Sequence, residues 1–263
     1  MPLFPDYNTE GPGIMDDMPR LKGMKRIFEM LSRDFNPFMI SGFVSLVTTL
    51  PLLFLTGWAV ALHSVLIAVT GGLLGGLIAA PCFYGMADVI LRSLRDEPAY
   101  GTHRYKAALV RNWKSTLVPG MLAGAVFSLQ VFIFLHLPQL GGIGLALCLM
   151  VSVTIFMGVF FWSLAQHVLL DLGLAARLKN SVILYFRHIL KSLASVGIMM
   201  VYLFLIIRMF PASMIILLVT SMWLPLLLIY QIIYPQLDQI FSIEKNLLKK
   251  RNEQRKAEKR NSQ

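Results

Sequence analysis

Charge is what this sequence has least of. Asp, Glu, Lys and Arg make up 14% of its 263 residues, against roughly a quarter in a soluble domain. The deficit is segregated, because long uncharged runs separate a few charged blocks. Cysteine is equally sparse: Cys82 and Cys148 both fall inside apolar runs. That placement excludes a disulfide framework and reads as packing rather than a metal site. There is no GxxxxGKS/T loop, no GxSxG elbow, no HExxH pair and no catalytic cysteine constellation. Enzyme function therefore has no positive support in the residues, and no cofactor is expected. Residues 1–36 lack an apolar signal region, and no cleavage pattern ends the first long run, so that run is expected to be a permanent anchor.

What fills the chain instead is hydrophobic, 56% of residues with a mean hydropathy of +0.66. A bilayer core about 30 Å thick takes roughly 20 apolar residues per helix. Six stretches meet that length: 37–62, 65–87, 115–135, 139–165, 189–207 and 209–237. Five contain no Asp, Glu, Lys or Arg. The fifth stretch holds Lys191 near its start and is followed by Arg208, both placed to extend their charges to headgroups. The expected fold is an all-α polytopic membrane protein. It comprises a 1–36 N-terminal segment, a 37–237 domain of six transmembrane helices, and a basic 238–263 tail.

The basic residues set the expected orientation. The first 36 residues hold five, the second connection six, the fourth four and the tail eight, while the first and third connections hold none and the fifth holds Arg208 alone. Twenty-three of the 24 Lys and Arg thus fall on one side. Positive loops stay in the cytoplasm, so both termini are expected there. The net charge of +10 then belongs to a face lying on anionic lipid headgroups and does not call for nucleic acid. The 245–260 tail mixes bases with Glu253 and Glu258 and is expected to continue as a solvated polar helix.

The chain reads as three helical hairpins with short outer turns. Each is preceded by an amphipathic segment suited to the membrane interface: Leu21, Met24, Ile27, Phe28 and Leu31 before the first, Tyr105, Leu109 and Trp113 before the third span, and Leu178, Val182, Tyr185 and Phe186 before the fifth. The last has Arg177, Lys179 and Arg187 on the polar side. Arg33, Arg111 and Arg187 recur at similar offsets before their spans, a weak threefold repeat.

Few residues within the spans can carry chemistry. Gly71, Gly72, Gly75 and Gly76 form two overlapping GxxxG pairs, a pattern for close helix approach rather than a ligand-cradling loop. Pro51, Pro81, Pro119 and Pro225 can kink their spans. Gln130 and Gln231 either bond across helices or contact a substrate. His167 and Asp171, one turn apart with Gln166 beside them, suit a metal, a proton relay or a structural hydrogen bond. His63 and His136 lie near the outer face and can meet, but two histidines do not complete a metal site. Asp88 is the acid nearest the hydrocarbon, and Arg92 one turn on is its expected partner.

Several short segments follow one another along the chain: Asp6-Tyr7-Asn8 with Gly11-Pro12-Gly13-Ile14, Arg33-Asp34-Phe35, Leu50-Pro51, Ala80-Pro81 with Tyr84-Gly85, residues 89–95 with Glu97, Arg111-Asn112-Trp113-Lys114, Lys179-Asn180-Ser181 and Tyr234-Pro235. In this order they resemble the YesL-like family of bacterial membrane proteins, a domain of unknown function. Pro51 and Pro81 stand further apart than the family pattern has them, so the first hairpin is expected to be longer. The resemblance implies a bacterial cytoplasmic membrane and an accessory role beside carbohydrate uptake or utilisation, with no catalytic residues to transfer. A small-molecule transporter or channel is the alternative. Expected partners are the bilayer, anionic headgroups, and either ABC-transporter membrane components or a second copy of the chain.

Overall fold

The computed structural model describes residues 23–95 and 101–246. The landmarks before Gly23, Glu97 and the tail beyond Asn246 lie outside the described residues, as do the side chains of Arg104, Arg111 and Asn112. Among the described residues the chain is all-α. In order come α1 (Met24–Ala61), α2 (Val65–Leu94), α3 (Gly101–Leu140), α4 (Ile143–Leu169), α5 (Leu174–Arg187), α6 (Ile189–Arg208), α7 (Ser213–Thr220) and α8 (Trp223–Phe241). Five of these helices are long and apolar enough to cross a membrane, and a sixth span is obtained if α7 and α8 count together.

The turns between paired helices are short. Ser64 caps α2, its side chain accepting from the Ile67 amide at 3.4 Å. Gly141 and Gly142 alone join α3 to α4, with φ of 71° and 101°, a conformation that costs glycine little. Apart from Arg208 at the end of α6, the basic residues of the described helices lie toward the opposite end of the bundle, the basic end.

Three local features differ from the sequence expectation. The segment before the third span is continuous with that span in α3, whereas the segment before the first is set off from its span by a kink within α1. Within α1 the geometry breaks only at Asp34 (φ −117°, ψ 19°). Pro37 explains this: it has no N–H for the Arg33 carbonyl and its ring crowds that group. The 209–237 stretch is not one helix, since α7 and α8 meet at 56°. Pro225 falls in the first turn of α8, where its missing N–H loses no intrahelical bond. The third difference concerns α5, whose buried side holds Arg177, Ser181, Leu184 and Tyr185 while Leu178, Val182 and Phe186 are exposed. Arg177 therefore faces the bundle, not the polar side assigned to it from spacing.

In lipid, tails are as apolar as leucine, so helix association depends on close packing and interhelical bonds. Here α2 supplies two small-residue faces. Through Gly71 and Gly75 it meets α1, where a Cβ at Gly75 would stand 2.8 Å from Leu52 Cβ. Through Gly72 and Gly76 it meets α3 at Gly120 and Gly124, where a Cβ at Gly72 would stand 2.6 Å from the Gly124 carbonyl oxygen. Thr56 and Ser128 add a 3.0 Å bond between α1 and α3. The large buried side chains sit elsewhere: Met30, Phe38, Met86, Ile90, Trp162, Leu226, Tyr230 and Ile233 lie in one core toward the basic end. Toward the turns the core shrinks to Ala59, Ala68 and Phe132.

Candidate functional site

The basic-end core encloses a polar cluster assembled from five helices. Arg177 enters from the first turn of α5 and is 3% exposed. Its Nη1 meets Nδ1 of His167, in the last turn of α4, while its Nε–H is buried without an acceptor. Guanidinium has only donors, so His167 Nδ1 accepts and the imidazole is neutral, leaving its Nε2–H for Ser115 Oγ of α3 at 3.3 Å. The Tyr84 ring of α2 stands edge-on to the His167 ring with centroids 4.6 Å apart. Tyr84 is also within electrostatic reach of Arg177 and of Tyr230 on α8. Burial lowers the Arg177 pKa from its ordinary value, and the nearby Tyr84 opposes that shift.

Beside this group, Gln166 Nε2 donates to Ser181 Oγ at 2.9 Å and to the Trp162 carbonyl at 3.3 Å. Ser181 in turn donates to the Arg177 carbonyl at 2.7 Å. Both Gln166 Oε1 and the Tyr230 hydroxyl are buried with no hydrogen-bond partner. Such groups are uncommon in folded proteins.

His167 and Asp171, read from spacing as a pair, are not brought together. His167 turns to Arg177 and Ser115, whereas Asp171 is exposed past the end of α4. The reason is that α4 ends at Leu169, so the helical spacing linking the two positions does not continue to Asp171. Gln130 joins α3 to α4 through Ser152 Oγ at 3.0 Å. Gln231 is half-buried on α8. His63 Nδ1 and His136 Nε2 meet at 2.8 Å by the turns, with His136 Nδ1 2.9 Å from the Phe132 carbonyl oxygen. Asp88 is bound by Arg92 Nε at 2.8 Å. Among the described residues, no three His, Cys, Asp or Glu side chains converge as metal ligands do.

A second polar joint holds the α7–α8 break. Ser221, at φ 43°, donates to the Gly42 carbonyl of α1 at 2.8 Å. Carbonyls at the break are met by side chains: Tyr202 OH of α6 donates to the Ser221 carbonyl, and Trp223 Nε1 donates to the Val219 carbonyl at 2.9 Å. Non-helical backbone within a span requires such partners.

Sequence reasoning missed Arg177 as an interior residue, and with it Tyr84, Tyr230 and Ser221. One signal was available. Gly158 interrupts the middle of the apolar run of α4, and the Tyr185 ring of α5 fills the space a Cβ there would need. An isolated glycine in a helical run can have a packing reason, and here it admits Tyr185, which shares the buried side of α5 with Arg177. Comparison with protein-family models, with curated proteins and with solved structures returned no match to this chain.

Proposed function

We propose that the chain is a six-span protein of a bacterial cytoplasmic membrane, with the basic end and both termini in the cytoplasm. In this reading α5 lies in the interface, its exposed Leu178, Val182 and Phe186 toward acyl chains. The protein acts as a non-enzymatic accessory or regulatory component of another membrane system, with carbohydrate uptake suggested by the YesL-like resemblance. One observation carries the accessory role: packing within the chain is lopsided. In the most apolar stretch of α2, 39% of residues are buried inside the protein, but in that of α4 only 11% are. Leu147, Met150 and Val151 lie on its bare side. Helix α4 supplies a long lateral surface on which a partner's spans can pack.

A photo-crosslinking residue in place of Met150, activated in intact membranes, tests this. A discrete adduct with another membrane protein is expected, and the same protein should co-elute in mild detergent. Adducts with lipid alone, across several growth sugars, would defeat the reading. Sidedness is checked separately by reporter fusions, which should place Gly142 outside and the Lys245 region inside.

The second reading, a transporter or channel, is favoured by the broken sixth span. Discontinuous helices whose freed backbone groups line a site are common in carriers. Solute flux in reconstituted vesicles that falls in Gln130→Leu or Gln231→Leu would support it.

A further inference from the structure

Arg177 presents an electrostatic imbalance. It is almost wholly buried, yet among the described residues no carboxylate bonds it; its contacts are a neutral imidazole nitrogen and the neighbourhood of Tyr84. A buried cation costs several kcal/mol unless an opposite charge and well-placed acceptors compensate it. An imidazole lone pair supplies one acceptor and no charge, and Nε–H is still unmatched.

The polar groups around it are also ordered by depth. Ser115 is exposed, His167 half-buried and Arg177 buried, each bonded to the next. Exposed Lys114 adjoins the outer end of this file, and exposed Lys179 stands on the same helix as its inner end. Such exposed ammonium groups draw anions toward this part of the surface. An oxyanion moving inward meets the Ser115 hydroxyl and then the guanidinium fork, whose planar donors match phosphate or carboxylate oxygens. To occupy the fork it must displace His167 Nδ1, which is the weaker acceptor because it carries no charge.

We propose that Arg177 anchors a buried oxyanion site, entered past Ser115 and His167, whose ligand is a phosphate-type group borne by an anionic lipid headgroup or by free phosphate. The place of the site at the basic end of the spans suits both sources. His167 acts as the resident competitor that occupies the guanidinium when no anion is bound. This inference does not depend on the partner proposed for α4.

The full chain is purified in a neutral detergent and its unfolding temperature followed against inorganic phosphate at matched ionic strength. In parallel it is placed in phosphatidylcholine nanodiscs containing increasing phosphatidylglycerol. Saturable stabilisation is expected in at least one arm: the phosphate arm identifies a soluble anion, the lipid arm alone a headgroup. Arg177→Gln should weaken the midpoint by about tenfold or more, as loss of a charge-assisted bond implies. His167→Phe preserves the ring against Tyr84 but removes the competing acceptor, so it should tighten binding. This second variant decides the matter if Arg177→Gln does not fold. No saturable stabilisation in either arm, identical titrations for wild type and Arg177→Gln, or unchanged or weaker binding in His167→Phe would each overturn the proposal.

Discussion

The Ser221 hydroxyl donates to the Gly42 carbonyl at 2.8 Å, tying the break of the last span to the middle of α1. A Cβ at Gly42 would stand 2.5 Å from Trp223 Cδ1, so the same glycine also makes room for the first side chain of α8. The bend thus depends on helix α1 rather than on the local chain alone. Gly42→Ala should cost about 1–3 kcal/mol, because the indole ring cannot shift cheaply. Ser221→Ala should cost about 0.5–1.5 kcal/mol through the lost bond. Thermal unfolding in detergent measures both, and a Gly42→Ala protein as stable as wild type would show that α8 does not seat on α1 this closely.

The glycine faces of α2 give a sharper contrast. Gly76→Ala places a methyl group against Gly120 and Gly124, with Gly124 Cα only 2.9 Å away. Backbone cannot yield as a side-chain tip can, so a loss of about 1–3 kcal/mol is expected. Gly57 and Gly197 are exposed helical glycines with nothing within 4 Å of an added Cβ. Alanine there should be neutral or stabilising by up to about 1 kcal/mol. Equal effects at Gly76 and Gly197 would contradict the packing described.

The contrast between these glycines also marks what could be read from sequence. Span number and length follow from lipid thickness acting on uncharged runs, and the i,i+4 partner of Asp88 follows from helical spacing; both are local properties. The GxxxG pairs of α2 announce a close neighbour but do not name it, and Gly120 and Gly124 emerge as partners only once the helices are assembled. Ser221 carries no local signal, since what holds it lies 179 residues away. Arg177 misled for a physical reason. Amphipathic spacing identifies two sides of a helix without telling which is covered, and in α5 the decisive contact is Tyr185 over Gly158.

At the basic end, Asp34 and Ser93 couple the kink of α1 to the end of α2. Ser93 Oγ donates to Asp34 Oδ2 at 2.6 Å, and Arg33 adds a 3.0 Å bond to the same oxygen and a 2.9 Å bond to the Ser93 carbonyl. Both Asp34 and Ser93 are buried. Ser93→Ala deprives a buried carboxylate of a donor and should cost about 1–3 kcal/mol. In the Asp34→Asn background the same change should cost less, because no charge is left short of donors. A double-mutant cycle on unfolding midpoints reads this coupling directly, and strict additivity would dissolve the pairing.

His188, at the corner between α5 and α6, makes stability depend on pH. Burial, then Lys191 and Arg187, hold its pKa below the ordinary 6.5. Its Nε2 is buried without a partner, and its ring stacks on Trp162 with centroids 5.9 Å apart. The folded protein therefore keeps this imidazole neutral, while the unfolded chain accepts a proton more readily. Its contribution to stability is complete above about pH 6.5, declines once the unfolded chain begins to protonate, and is lost as pH falls through the lower folded value. His188→Phe retains a ring against Trp162 and cannot titrate. Between pH 7.5 and 5 its unfolding temperature should fall less than that of wild type. Parallel pH profiles for the two proteins would mean that His188 is not the group held neutral by the fold.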